Sequence, residues 1–162
     1  MLKAGIIRSC NSPYNAQAVV VDKKESGKVR ICLQAKPINA KLETPRFPIK
    51  RIQRILDNLG GATVFSTLDL TRAYWQVKLS KESQEATAFE LLDAQYCYQR
   101  MPYGLCNAPA IFAELMYKVL DGLPFATSYL DDILVFSKTF EEHLVHLAHV
   151  FHRLQQHNLT LP

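Results

Sequence analysis

Three aspartates lie at positions where a folded chain seldom leaves an unpaired charge. Asp69 lies at the end of the apolar segment ATVFSTLDL, and Asp131 with Asp132 separates two more apolar segments, ATSYL and ILVFS. Carboxylates among apolar neighbours are costly unless cations compensate their charge. Oxygen-only ligands suit Mg²⁺, which keeps several waters and commonly adds substrate phosphate to its shell. These residues therefore predict metal-assisted phosphoryl transfer.

An alternative interpretation of Asp131 and Asp132 needs no metal. Aspartate is favoured in turns because its side chain hydrogen-bonds the local backbone. The pair could simply form a solvated hairpin turn. The residue types alone leave both interpretations open.

The segments around the aspartates predict strands that carry them at their ends. ATVFSTLDL has the β-branched and aromatic content of a buried strand that ends at Asp69. ATSYLDDILVFS predicts two short strands joined at Asp131 and Asp132, which gives a hairpin with charge at its tip. Residues 17–22 and 29–33 predict an earlier hairpin of basic character.

Three helices are predicted between and after these strands. The first opens at Pro48 and the second at Asn107, while the third opens with the capping box Thr139-x-x-Glu142 and ends near Asn158. Their predicted apolar faces are, in order, Ile49, Ile52, Leu56 and Leu59; Ile111, Leu115 and Leu120; and Leu144, Leu147, Phe151 and Leu154. This order of elements predicts an α+β fold, with an antiparallel sheet backed by helices on one face.

Composition and charge bound the kind of protein. The chain has 162 residues and 48% hydrophobic content, enough to bury the core of one domain. Residues 1–54 carry twelve Lys or Arg against three acids, whereas residues 55–162 carry seven basic against twelve acidic side chains. A basic lobe thus precedes an acidic one, which suits phosphate binding beside a cation site, although a solvated charged face would look the same.

Two classes of protein are disfavoured by the sequence. The four cysteines form no CxxC pair, so neither a zinc ribbon nor a disulfide framework is indicated. Because no apolar run resembles a secretory signal or could span a bilayer, we expect an intracellular, cytoplasmic protein that is not secreted and has no membrane partner.

Three ordered blocks of sequence identify a family resemblance. They are VFSTLDLTRAYWQVKLSKESQEATAF, RMPYGLCNAPAIF and SYLDDILVFSKTFEEHLVHL. In order and spacing they resemble successive blocks of gypsy-type LTR retrotransposon reverse transcriptases, and the resemblance runs from about Gly5 to Leu161. It implies a single reverse transcriptase domain over residues 1–162 with a right-hand polymerase fold that lacks the thumb. The small basic fingers lobe would occupy about 1–46 and 86–104, and the palm about 47–85 and 105–162.

The resemblance implies an RNA-directed DNA polymerase that adds deoxynucleotides to a primer 3′-hydroxyl by a two-metal-ion mechanism. Asp69, Asp131 and Asp132 match the catalytic carboxylates, and with the backbone of Leu70 they would hold two Mg²⁺ ions, which Mn²⁺ could replace. Since neighbouring strand residues point to opposite faces, Asp131 and Asp132 should not ligate equally. We expect Asp131 to be the tighter ligand.

The resemblance also implies a pocket for the incoming deoxynucleoside triphosphate. Tyr74 matches an aromatic residue under the sugar, where a 2′-hydroxyl would clash, although an ordinary core tyrosine remains an alternative. The other residues that match the nucleotide-binding positions are Lys23 and Arg30 on the basic hairpin, the backbone of Leu70, Thr71 and Arg72, and Tyr103 with Gly104. A solvated charged hairpin is the alternative for Lys23 and Arg30.

Four histidines at three-residue spacing, His143, His146, His149 and His152, raise the question of a metal site. Each step of three moves about 60° around a helix, so the four should fan across the outer face without converging on one ion. A polar face without function is expected, and the alternative is incidental chelation by an adjacent pair.

The sequence departs from the family pattern in three places. Gln34-Ala35-Lys36, followed by Pro37-Ile38-Asn39, stands where the family usually has Asp-Tyr-Arg followed by Ala-Leu-Asn. Ala16-Gln17 stands where a second Ser-Pro is expected. The chain also stops before the expected primer grip and thumb. The alternative function is therefore a truncated, catalytically inactive element relic that binds nucleic acid. Expected partners are an RNA or DNA template with primer, deoxynucleotides, and the thumb and RNase H regions of a longer polyprotein, in the context of a virus-like particle.

Overall fold

The computed structural model of the protein describes residues 1–23, 28–43, 47–48 and 52–162, and for 21–23 and 28–30 it describes the backbone alone. The chain has a mixed α+β fold, as the sequence predicts. It divides into two compact units. The first unit comprises Met1–Thr44 and Tyr74–Ala108, and the second comprises Pro45–Ala73 and Pro109–Pro162.

The elements are named in chain order. The described strands are β1 (Ile7–Ser9), β2 (Ala18–Lys23), β3 (Lys28–Leu33), β4 (Val64–Asp69), β5 (Phe89–Leu91), β6 (Ala94–Tyr98), β7 (Ala126–Tyr129) and β8 (Asp132–Ser137). The described helices are α1 (Lys36–Asn39), α2 (Ile52–Asp57), α3 (Lys81–Ala86), α4 (Ala108–Val119) and α5 (Phe140–Gln156), with a 3₁₀ turn over Ala73–Gln76.

The first unit contains two antiparallel sheets. One has the strand order β1-β6-β5, and the other is the hairpin β2-β3 that the sequence predicts. Phe89 and Tyr98 are completely or almost completely buried between these elements, with ring centroids 5.3 Å apart. They pack with Ile7, Leu33 and Ala35 into one apolar cluster. Burial of two aromatic rings is a large apolar contribution to the stability of so small a unit.

The second unit is built on an antiparallel sheet with the strand order β4-β8-β7. Ile133 and Val135 of β8 are fully buried on the face that carries the helices, together with Met116 of α4 and Val150 of α5. The side chains of β4 alternate between half-buried and exposed, and Phe65 on the outer face is 48% exposed. The prediction that β4 is a buried strand was therefore wrong, because helices cover one face of this sheet only.

The sequence predicted the wrong face for α2 and only part of the right face for α5, where Leu154 is buried as predicted. In α2 the buried residue is Ile55, whereas Ile52 and Leu56 are 53% exposed. Ile52 and Leu56 form one row at i, i+4 spacing and Ile55 and Leu59 form another, so spacing alone does not decide which row packs. Pro48, the predicted first residue, is not part of α2, and Ile49 lies outside the described residues.

In α5 the side chains that face the sheet are His143, Val150 and Leu154, and all three are buried. Leu144 and Phe151, predicted for the core, are 53% and 45% exposed. The histidines therefore do not all lie on the outer face. The reason is that α5 carries apolar residues around most of its circumference, so periodicity does not decide which side packs. His143 faces the sheet because it hydrogen-bonds Ser66 and Ser137 there.

The ends of α5 follow the predicted capping pattern with one change. Thr139 Oγ1 accepts a hydrogen bond from the Glu142 backbone N–H at 3.2 Å. The Glu142 carboxylate accepts from the Lys138 N–H, one residue earlier than in a standard capping box. Asn158, with φ of 55°, ends the helix in the left-handed conformation that asparagine tolerates.

No helix in the described part of the chain combines the length and the apolar character that crossing a membrane requires.

Candidate functional site

Two of the three aspartates face each other across neighbouring strands of the second unit. Asp69 is the last residue of β4 and Asp132 is the first of β8, and their Cα atoms are register partners. Directly paired residues of antiparallel strands project to the same face of a sheet. Both side chains are exposed. The register therefore sets two carboxylates side by side on the uncovered face of the sheet.

Asp131 lies in the turn that precedes β8. Tyr129 pairs with Asp132, so the loop consists of Leu130 and Asp131, and not of Asp131 and Asp132 as predicted. Leu130 has φ of 52°, in the left-handed region that a branched side chain rarely adopts. The backbone carbonyl of Asp131 accepts a hydrogen bond from the Leu70 N–H at 3.3 Å, which links the turn to the end of β4.

The Asp131 carboxyl is the most perturbed acid of this group. Its Oδ1 is buried and has no hydrogen-bond partner among the described residues. Burial raises the pKa of Asp131, and the neighbouring charges of Asp132 and Asp69 raise it further. A carboxylate in this position has a poorly compensated negative charge.

This donor set fits a divalent cation. The buried Asp131 Oδ1, which has no partner in the described part of the chain, and the two exposed carboxylates are the hard oxygen ligands that Mg²⁺ prefers. Within the described residues, however, no three His, Cys, Asp or Glu side chains already form a metal-holding group. Asp69, Asp131 and Asp132 thus lie together where β4 ends and β8 begins, and we call this end of the sheet the acidic edge. The three acids do not surround an ion completely, which suits an ion whose remaining ligands are water and phosphate.

The residues after Asp69 turn away from the sheet. The Leu70 side chain is buried, so Leu70 could act as a ligand only through its backbone. The Thr71 N–H donates to the Thr160 carbonyl at 3.3 Å, and Arg72 is exposed with φ of 52°. Non-glycine residues in the left-handed region are uncommon, and here two of them, Arg72 and Leu130, lie next to the acidic edge.

A groove of about 740 Å³ also opens in the second unit. Its lining includes Tyr117 of α4, Leu123 and the hairpin residues Tyr129 and Leu130, but none of the three aspartates. The groove is therefore separate from the end of the sheet where the three aspartates lie.

Tyr74 and Tyr103 come together in the first unit. Their ring centroids are 5.2 Å apart with the planes tilted by 54°, and Trp75 lies edge-on to Tyr103 at 6.0 Å. All three rings are only partly buried. The structure therefore groups two of the residues predicted to bind the nucleotide and adds Trp75 as a neighbour.

Asn39 holds the backbone next to Tyr103 in place. Its Nδ2 donates to the Gly104 carbonyl at 2.9 Å, and its Oδ1 accepts from the Cys106 N–H at 2.9 Å. Sequence reasoning placed Asn39 only in a stretch that departs from the family pattern and missed this role. An amide side chain, which both donates and accepts, was the available signal.

Gly104 is predicted to be intolerant of a side chain. Its φ is 105°, and a Cβ would lie 3.1 Å from the Leu33 carbonyl oxygen. We expect Gly104→Ala to lower the free energy of unfolding by about 2–3 kcal/mol through backbone strain and this contact. Gly122→Ala is the matched control, since Gly122 has φ of 77° but open space at its Cβ, and should cost about 1 kcal/mol. Urea denaturation of both variants measures the difference; equal losses would contradict the importance of the Leu33 contact.

Lys23 and Arg30 can be placed only by their backbones. Lys23 ends β2 opposite Lys28, and Arg30 of β3 pairs with Val21. Their side chains, and the turn predicted around Gly27, lie outside the described part of the structure. Their contact with nucleotide stays a prediction.

The sequence matches one family model over most of its length. Residues 21–162 match the model described as "Reverse transcriptase (RNA-dependent DNA polymerase)". The chain is 39% identical to the Retrovirus-related Pol polyprotein from transposon 297 of Drosophila melanogaster and 36% identical to that from transposon gypsy. Each alignment covers 99% of this chain and 16% of the polyprotein. The chain thus spans about a sixth of the length of these relatives.

Solved structures of reverse transcriptases have a similar fold over nearly the whole of this chain. A foamy viral protease-reverse transcriptase in complex with double-stranded DNA matches with a TM-score of 0.90 and 31% identity, over 99% of this chain and 28% of that one. The foamy viral enzyme in complex with RNA/DNA hybrid matches with a TM-score of 0.89 and 29% identity, over 99% of this chain and 21% of that one.

Proposed function

Because the chain belongs to the reverse transcriptase family, we propose that it carries the catalytic residues for template-directed transfer of deoxynucleotides to a primer 3′-hydroxyl. The observation that supports this most is the acidic edge of the second unit. Asp69 and Asp132 are paired there on one face, and the buried Oδ1 of Asp131 has no hydrogen-bond partner among the residues that the structure describes. A site with this much uncompensated charge is suited to cations and phosphate.

Reverse transcriptases use divalent metal ions, and Asp69, Asp131 and Asp132 with the backbone of Leu70 are the residues that would hold them. When bound, two Mg²⁺ ions, or Mn²⁺ in their place, would lower the pKa of the primer hydroxyl and neutralise charge on the triphosphate. We assign the tighter ligation to Asp131, because its buried oxygen has most to gain from a cation. Asp132 is more exposed, and its negative charge would act mainly on the ligands around the ion.

Selection of the nucleotide is assigned to Tyr74, Tyr103 and Gly104 of the first unit. Tyr74 would exclude a 2′-hydroxyl by contact with the sugar, and Tyr103 would support the Tyr74 ring, as their 5.2 Å separation suggests. Gly104 would allow close approach to the ligand. The further nucleotide-binding residues proposed are Lys23, Arg30, Leu70, Thr71 and Arg72.

The two lobes of a right-hand polymerase are proposed on the same basis. Residues of about 1–46 and 86–104 would form the fingers, and about 47–85 and 105–162 the palm. Since the chain spans 16% of its relatives, stable binding of template and primer would use the thumb and RNase H regions of a longer polyprotein. The complexes of the foamy viral relatives with DNA and with RNA/DNA hybrid support duplex nucleic acid as the partner.

Primer extension tests the proposed function. The chain should extend oligo(dT) on poly(rA) with Mg²⁺ or Mn²⁺, and an Asp131→Asn, Asp132→Asn double variant should extend none while binding the duplex equally in a fluorescence anisotropy assay. Extension that survives in the double variant would refute the assignment of these acids. If the parent binds duplex but extends no primer, this chain has no turnover by itself. It is then either a nucleic-acid-binding segment without turnover or a part that requires the thumb of a longer polyprotein.

A further inference from the structure

A single imidazole ties together the two strands that carry the candidate carboxylates. His143 of α5 is 2% exposed. Its Nε2 lies 2.8 Å from the Oγ of Ser66 on β4, and its Nδ1 lies 2.8 Å from the Oγ of Ser137 at the end of β8. One side chain of the helix therefore hydrogen-bonds both strands through its two ring nitrogens.

A second histidine couples the directions of these hydrogen bonds. Ser137 Oγ also lies 2.7 Å from Nδ1 of His146, whose ring is stacked on Phe125 with centroids 3.7 Å apart. A serine hydroxyl has one hydrogen, so it can donate to only one of the two imidazoles and must accept from the other. The tautomers of His143 and His146 are thereby linked. A buried network in which each member has a partner is rigid, whereas a broken one is costly.

The hydrogen bonds of His143 join the same two strands that carry Asp69 and Asp132 on the opposite face of the sheet. Asp69 and Asp132 are direct register partners, and like charges in that position push the strands apart. Ser66 precedes Asp69 by three residues, about 10 Å along the strand. Ser66 and Ser137 are diagonal neighbours in the register, since Ser66 pairs with Val135 and Ser137 with Val64. His143 therefore links β4 and β8, the two strands whose pairing the charges of Asp69 and Asp132 oppose.

We propose that His143 is a positioning residue for the acidic edge. It hydrogen-bonds both Ser66 and Ser137 and thereby fixes the register of β4 against β8. That register keeps the Asp69 and Asp132 carboxylates side by side for cation binding. The inference rests on the proposed function, since it concerns the same three acids. A shift of about 1 Å in such a group can lower a rate by about 100-fold, which makes a strand clamp outside the site consequential.

Two substitutions separate this role from simple packing. The amide of His143→Asn can take the place of Nδ1 and keep Ser137, but it is too short to reach Ser66. Ser66→Ala removes the same hydrogen bond from the other strand. His152→Asn is the matched control, because His152 lies on the same helix, is exposed and bonds only Gln156 among the residues described.

Binding of Mn²⁺, measured by electron paramagnetic resonance without nucleotide, is the first test. We expect His143→Asn and Ser66→Ala each to weaken it about 10-fold, the usual size of an effect on a residue that orients ligands, and His152→Asn to leave it unchanged. The double variant should lose no more than either single one, because both remove one shared hydrogen bond. In primer extension, kcat should fall by about 10- to 100-fold with the KM for deoxynucleotide little changed.

The outcomes separate the two proposals. If the parent binds Mn²⁺ and His143→Asn and Ser66→Ala bind it equally well, His143 is only a core residue and the positioning role is refuted. Additive losses in the double variant would refute the shared bond in the same way. If the parent itself neither binds Mn²⁺ nor extends a primer, the proposed function fails and the positioning role fails with it. Should His143→Asn not fold, as circular dichroism would show, the smaller change Ser66→Ala decides.

Discussion

Replacing Asp131 with Asn is expected to lower nucleotide incorporation by about 10³-fold or more and, at the same time, to raise the melting temperature of the metal-free protein. The two effects have one cause. The Asp131 carboxylate is half-buried, its Oδ1 lacks a partner in the described structure, and Asp69 and Asp132 repel it. An amide of nearly the same shape removes the charge that opposes folding, together with the charge that a cation would need.

The pH dependence of this stabilisation has a defined sign. Burial and the neighbouring acids raise the pKa of Asp131 in the folded protein above its ordinary value. The folded state therefore binds the proton more tightly than the unfolded state, and ionisation costs stability as pH rises from the ordinary pKa through the raised one. The advantage of Asp131→Asn should thus be complete above the raised pKa and vanish below the ordinary carboxyl range. Thermal unfolding in EDTA at several pH values measures it.

Asp132→Asn provides the comparison for Asp131. Asp132 is exposed and directly opposite Asp69, so removal of its charge should raise the free energy of unfolding by no more than about 1 kcal/mol. We expect it to lower incorporation by about 10- to 100-fold, as for a group that adjusts the ligands of an ion. Added Mg²⁺ should raise the melting temperature of the parent and not that of Asp131→Asn. Equal losses of activity from both single variants would refute the unequal roles.

The position of the acidic edge could be predicted from the sequence to within one residue. Apolar segments that end in aspartate predict strands with charge at their tips, and both β4 and the β7-β8 hairpin follow that pattern. The one-residue error arose in the turn. Leucine at φ of 52° is unfavourable, so local preference argued against Leu130 as a loop residue. The pairing of Tyr129 with Asp132 overrides that preference.

The residues that support the site could not be predicted in the same way. Periodicity shows that a helix has an apolar face, but α5 is apolar on more than one side, and the buried side is set by Ser66 and Ser137 of the sheet. Asn39 likewise acquires its role only when the chain folds back to place Gly104 beside it. Ser66 and His143 are 77 positions apart and Asn39 and Gly104 are 65 apart. Spacing along the chain does not encode contacts between residues so distant in sequence.

Replacing Tyr74 with Ala is expected to reduce discrimination against ribonucleotides by about 10- to 200-fold, the range that a small change in the shape of a pocket produces. The ring of Tyr74 is partly buried and lies 5.2 Å from that of Tyr103. A flat ring held by an aromatic neighbour can exclude a 2′-hydroxyl by contact, whereas the space left by alanine would admit it. The ratio of kcat/KM for dTTP and for UTP, measured on poly(rA)/oligo(dT), gives the discrimination.

Tyr74→Phe is the matched control for this prediction. It keeps the ring and its packing against Tyr103 and removes only the hydroxyl, so discrimination should stay within about 2-fold of the parent if the ring itself excludes the sugar hydroxyl. If Tyr74 is an ordinary packing residue, Tyr74→Ala should instead lower the free energy of unfolding by about 3 kcal/mol and leave the dTTP-to-UTP ratio unchanged. Because the ratio compares two substrates on one enzyme preparation, partial unfolding lowers both rates equally and cannot imitate a loss of selectivity.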